Sequence, residues 1–193
     1  KGGITISGGE PLAQIDFVLE LFKLAKKEGI NTCIDTSGGC FTREEPFFSK
    51  FKELMEYTDL LLVDIKEINN ERHKTLTGRS NENILDMARY LSEIDKPIWI
   101  RHVLVPERSD YDAVILTVLP NDKQDLIELD HFISTLSNVY RVEILPYHTL
   151  GVFKWEELKI PYQLEGIKPP TKERVDNAKR LLHVDRYTRY LDN

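Results

Sequence analysis

Cysteine, long apolar runs and surplus positive charge are what this sequence has least of. Only Cys33 and Cys40 occur in 193 residues. That is too few for a disulfide scaffold and points to a cytosolic, cytoplasmic setting. Their spacing fits no zinc or iron–sulfur pattern. No apolar stretch approaches the ~18 residues a membrane span needs, so no membrane partner is expected. Acids outnumber bases, 32 to 26, for a formal net charge of −6. Such a chain has no general attraction to phosphate backbones, and no nucleic acid partner is expected. No signal peptide is visible, and the first residue is Lys1 rather than Met. A processed start or a piece of something longer is therefore expected. No Ser or Cys sits beside a base in an elbow motif, which argues against acyl transfer.

What is present is an alternation of strand and helix patterns. The composition, 41% hydrophobic, is enough for one domain with a real core. No repeat or low-complexity linker divides the chain, so residues 1–193 read as a single domain. Ile4 to Ser7 alternates like a short strand and stops at Gly8-Gly9-Glu10-Pro11. Leu12, Ile15, Val18, Phe22 and Ala25 then share one helical face, and Gly29 reads as the stop. Further strands are expected over Ile30 to Thr36, Asp59 to Lys66, Ile98 to Val105 and Arg141 to Pro146. The unbroken apolar centre of the third predicts burial on both faces. Helices are expected over Glu45 to Tyr57, Asn81 to Ile94 and Gln124 to Leu136, and behind Thr171 as N-cap. Asn69 to Arg79 and Val152 to Pro170 read as loops, and Pro106 to Pro120 as an irregular excursion. Strands alternating with helices mean a parallel sheet with helical crossovers. Periodicity leaves an open doubly wound sheet and an incomplete barrel both standing.

In either architecture ligands gather where strands end. The candidate strand ends supply Gly8-Gly9-Glu10, Asp35-Thr36, Asp64 with Lys66, Arg101-His102 and Tyr147-His148. Each also has a plain structural reading. Gly8-Gly9 can be a tight turn, Asp35 a turn former, and Asp64 with Lys66 a surface ion pair. Arg101 reads as interior or edge, with interior favoured. His148 reads as an ordinary loop histidine. Cys33 reads as a buried small side chain, Cys40 as a loop thiol, Trp99 and Trp155 as core and lid packing. Together the groups offer carboxylates, an ammonium, an imidazole and a backbone cradle, which suits a zwitterionic ligand.

The ordered set Ser7-Gly8-Gly9-Glu10-Pro11, Cys33-Ile34-Asp35-Thr36-Ser37-Gly38, Asp64-Ile65-Lys66, Trp99-Ile100-Arg101 and Leu145-Pro146-Tyr147-His148-Thr149-Leu150-Gly151 resembles the glycyl-radical-enzyme activating family of radical S-adenosylmethionine (SAM) proteins. The resemblance covers almost the whole chain. It implies an α/β fold, a partial (β/α)₆ TIM-like barrel with about five βα units here and the first missing. It implies SAM bound by Gly8, Gly9 and Glu10 at its amino group, by Asp64, Ile65 and Lys66 around its carboxylate and ribose, and by His148 from the far side. Asp35 and Asp64, with backbone oxygens of Thr36 and Leu62, would match a monovalent cation site. A reduced [4Fe–4S] cluster would give one electron to SAM, and the resulting 5′-deoxyadenosyl radical would take a hydrogen atom from a backbone glycine of a partner. Pyruvate formate-lyase is the expected partner, with a flavodoxin or ferredoxin type electron donor. The alternatives are another glycyl radical enzyme, or, for this chain alone, a non-catalytic barrel that binds SAM or a partner protein. The family's Cys-x3-Cys-x2-Cys motif is absent. The chain is thus expected to be the C-terminal part of a longer enzyme, inactive alone. Tyr111 to Pro120 looks like an insertion, and Glu107 stands where a Gly is expected.

Overall fold

A computed structural model describes residues 2–110, 125–162 and 164–191. The expected insertion, Tyr111 to Pro120, lies outside the described residues. Five parallel strands form one sheet in the order β1 (Gly3–Ile6), β2 (Asn31–Thr36), β3 (Leu60–Asp64), β4 (Ile98–Leu104) and β5 (Val139–Pro146). Each strand lies beside its neighbour in sequence, so the order never reverses as a doubly wound sheet requires. Right-handed crossovers in an unreversed order put every connecting helix on the same side. The architecture is therefore an arc of a barrel, and the doubly wound alternative falls.

A 3₁₀ turn (Pro11–Gln14) leads into α1 (Ile15–Lys27), followed along the chain by α2 (Phe47–Glu56), α3 (Asn70–Thr77), α4 (Glu82–Glu93) and α5 (Asp125–Ser134). After β5 come α6 (Val152–Glu157), α7 (Lys172–Leu181) and two short 3₁₀ turns. The apolar set expected on α1 is buried as a block: Leu12, Ile15, Val18, Phe22 and Ala25. It packs in one continuous core with Ile34, Leu61, Val63, Ile100 and Ile144 from the outer face of the sheet. Phe41, from the loop after β2, meets Phe51 edge-on at 5.0 Å and 73° and closes the core between α2 and α4.

The third strand differs from its expectation. In β3 only Leu61 and Val63 are fully buried, while Leu60, Leu62 and Asp64 on the inner face are partly exposed. The helices cover one side only, so burial follows the period-2 alternation of the strand. Cys33 shares that inner face and is half-buried rather than buried. Two expected loops are helical. Asn69 caps α3 by accepting from the N–H groups of Glu71 and Arg72, and Gly78 closes it in the left-handed region. Part of the stretch after β5 forms α6. Glu107 has φ 62, the left-handed conformation that favours glycine. Among the described residues no helix is long and apolar enough to cross a membrane.

Candidate functional site

Where the strands end, the backbone and a row of charges come together. After β1, Gly8 and Gly9 have φ of 87° and 56°. Nothing lies within 4 Å of a Cβ added at either, so the demand there is for left-handed backbone rather than for space. The turn is held by Glu10. Its carboxylate accepts from Leu12 N at 3.1 Å, Ser37 N at 3.0 Å and Ser37 Oγ at 2.6 Å, and from the Thr36 hydroxyl. That carboxylate is thereby spent on tying the turn after β1 to the end of β2, which leaves the backbone of Gly8 and Gly9 facing outward.

The second half of the rim is a relay of charges on the inner face. Register sets Asp64 beside Arg101 and Arg101 beside Glu143. Arg101 Nη2 lies 3.0 Å from Asp35 Oδ1, and Arg101 Nε lies 3.0 Å from Asp64 Oδ1. Lys66 Nζ reaches Asp64 Oδ2 at 3.0 Å. One guanidinium therefore bridges two carboxylates, and an ammonium closes the far one. Burial works against Arg101's charge, but the bond to Asp64 and the fields of Asp35 and Glu143 outweigh it and raise its pKa. Asp35 has only a share of that guanidinium. Burial and the nearby Asp64 carboxylate push its carboxyl up despite Arg101.

Of the residues expected to form the site, Asp35, Asp64 and Lys66 meet in this network. Gly8 and Gly9 stand two strands from Asp64, on the same rim. His148 is exposed on the β5 side of the rim and outside the network. Ile65 turns its side chain into the core. Its backbone N–H donates to Arg101 O at 2.9 Å, and its carbonyl faces His102 Nδ1 at 2.8 Å. Thr36 is buried with its hydroxyl engaged by Glu10, and Leu62 sits on the inner face in register with Asp35. Arg101 was readable as an interior charge but not as the hub. Its position two residues after Trp99, at the level of Asp64, was the available signal. Behind the rim, Glu67 is fully buried among α3 and α5. Burial and the Asp125 carboxylate push it up to about 7, although Asn69 N and Arg72 favour its charged form.

The chain's thiols do not fit an iron–sulfur cluster. Cys33 and Cys40 are its only two thiols, fewer than such a cluster takes, and burial raises the pKa of both, Cys40 to about 11 with the Glu10 carboxylate adding to it. No group of three or more His, Cys, Asp or Glu is placed to hold a metal ion among the described residues. The rim does fit a zwitterion carrying an amino and a carboxylate group. It offers open glycine backbone, acids for an ammonium, and Arg101 with Lys66 for a carboxylate. A cavity of about 560 Å³ opens at the opposite, N-terminal ends of the strands, lined among others by Asn31, Leu60, Trp99 and Tyr190. It holds none of the bridged acids.

Residues 1–117 match the radical SAM superfamily. The chain is 54% identical over 189 residues to a pyruvate formate-lyase-activating enzyme of Streptococcus mutans, covering 98% of this chain and 68% of the relative. It is 50% identical over 186 residues to a pyruvate formate-lyase-activating enzyme of Listeria monocytogenes, covering 96% and 71%. Among solved structures it is similar to a domain of pyruvate-formate lyase-activating enzyme from Bacteroides vulgatus, with a TM-score of 0.72 at 23% identity over 97% of both chains. It is also similar to coproporphyrinogen III oxidase from Escherichia coli, with a TM-score of 0.57 at 15% identity over 93% of this chain and 38% of the other. These two likenesses are likenesses of fold, the partial TIM-like barrel.

Proposed function

The chain belongs to the radical SAM superfamily, and we infer from that premise that it acts as an activating enzyme of pyruvate formate-lyase. The observation that carries this is 54% identity over 98% of the chain to a protein of that name. SAM and a [4Fe–4S] cluster are the family's cofactors, and together they supply a carbon radical able to abstract a hydrogen atom. Cys33 and Cys40 alone are too few to hold that cluster.

This chain's own part is to bind and orient SAM. The backbone of Gly8 and Gly9 receives the amino group at its carbonyl oxygens, because those residues expose peptide polar groups that no side chain covers. Glu10 acts indirectly, by fixing that turn against the end of β2. Lys66 and Arg101 take the carboxylate, Asp64 holds both cations in place, and His148 closes the far side. Ile65 contributes through position, since its backbone is already bonded and its side chain is in the core. A monovalent cation shared by Asp35, Asp64 and the backbone oxygens of Thr36 and Leu62 is the companion reading. It requires Arg101 to release part of its hold on the two acids. A flavodoxin or ferredoxin type protein is the proposed electron donor.

The test is anaerobic reconstitution of the activating enzyme with iron and sulfide, followed by SAM, a reductant and pyruvate formate-lyase. The expected result is 5′-deoxyadenosine together with a glycyl radical signal on the partner. Absence of both, in protein showing cubane absorbance, overturns the reading. Calorimetry of these 193 residues alone with SAM should show weak or no binding, since the chain lacks the cluster's own ligands. Tight binding there would contradict the role given to the cluster.

A further inference from the structure

Exposed large apolar side chains stand singly over most of this surface, as they do on most proteins: Phe17 and Leu24 on α1, Ile94 after α4, Ile127 on α5. One stretch departs from that pattern. Between Leu150 and Ile160 the chain exposes Leu150 (77%), Phe153 (52%), Leu158 (68%), Ile160 (48%) and Trp155 (39%). None of the five belongs to the hydrophobic core or packs against it.

The stretch is nonetheless anchored. Tyr147, directly before His148, is 6% exposed, and its hydroxyl meets that of Tyr162 at 2.5 Å. The Tyr162 ring in turn lies 5.7 Å from Trp155. The aromatic members thus fasten α6 to the end of β5, and Leu150, Phe153, Leu158 and Ile160 are left facing outward beside the rim. Lys154, Glu156, Glu157 and Lys159 are interspersed with mixed sign, so charge does not select what docks there. Solvent-facing apolar side chains set among polar ones, off the core, are what a non-obligate protein interface presents.

We propose that this apolar patch is the docking surface for the folded polypeptide that carries the target glycine. The inference rests on the activase reading above and adds to it where the partner is gripped. The argument for this occupant is continuity. A reaction at a backbone atom requires the partner's chain to lie across the rim. The charged row of Asp35, Arg101, Asp64 and Lys66 is recessed and occupied with its own pairing, so it offers little to an apolar flank. The rim becomes apolar at α6, immediately after His148.

The test compares cluster-loaded activating enzyme with its Phe153→Ser/Leu158→Ser variant. Affinity for immobilised pyruvate formate-lyase and the KM for that folded protein should each worsen about tenfold. Radical formation on a short peptide spanning the target glycine, and cleavage of SAM without any partner, should be unchanged. Unchanged affinity and KM for the folded protein overturn the proposal. An equal loss with the peptide also overturns it, because the patch would then act by distorting the rim. Conversion of a dimer to a monomer by the variant, with partner binding intact, assigns the patch to a second copy and overturns it as well. If the parent enzyme forms no radical on any substrate, the activase reading fails by itself, and the binding measurement still decides the surface.

Discussion

Along β4 two neighbouring residues live in different solvents. Ile98, Ile100, His102 and Leu104 face the helices and are buried, whereas Trp99, Arg101 and Val103 face the inside of the arc and stay partly exposed. The same division runs through β2 and β3. A strand of period two lets one face hold the fold while the other carries charge. The outer face gains from removing apolar area from water. The inner face keeps desolvated ions only because they are paired, Arg101 with two acids and Lys66 with one.

The sharpest way to break this comparison is to substitute adjacent residues. Ile100→Ala empties a site with no exposure on the outer face and should cost about 2–5 kcal/mol in urea unfolding. A loss below 1 kcal/mol would mean that the helix layer relaxes freely into the gap.

The next effect depends on pH and probes a fully buried acid on the helix side, Glu67. Glu67 titrates near 4.5 when unfolded and at about 7 when folded. Between those values the folded protein keeps a proton that the unfolded chain has lost, so stability falls as pH rises through that window. Glu67→Gln escapes the fall. It should match the parent near pH 4 and exceed it at pH 8 by up to about 3 kcal/mol in chemical unfolding. A parent that is the more stable at pH 8 would falsify burial as the dominant cause.

On the inner face, Arg101→Met should reverse the Ile100 result. Stability should drop by only about 1–2 kcal/mol, while SAM affinity of the cluster-loaded enzyme falls at least about tenfold, equivalent to ~1.4 kcal/mol. Retained affinity would remove Arg101 from the site. The smallest effect belongs outside both faces. Lys50 meets Asp16 at 2.7 Å between α2 and α1, and Lys50→Ala should change unfolding by no more than about 0.5 kcal/mol. A larger loss would show that surface pairing, not the apolar layer, fastens those helices.

Much of this was readable from the chain. The apolar spacing on α1 marked a helix face that is buried as a unit, and Gly29 marked its end with φ 68. The helix α3 was not readable from periodicity, because apart from His73 it buries little. Its caps were the visible clue, an Asn before and a Gly after, and they hold the backbone without an apolar stripe. The double burial expected for β3 came from four consecutive apolar residues. Leu60 and Leu62 are apolar yet face the inside of the arc, where no helix covers them. Glu10 was grouped with the ligand cradle on sequence adjacency, and its partners lie at the end of the next strand.

The sequence alone therefore determined the alternation of strands and helices, the apolar faces, and which residues end each strand, since these follow from local periodicity and turn chemistry. Only the tertiary structure decided that the strand order never reverses, so that the helices connecting the strands cover one face and the other is left for charge. It alone decided that Arg101 stands between Asp35 and Asp64. Those three come from different strands, and only the register of a closing parallel sheet brings them within 3.0 Å.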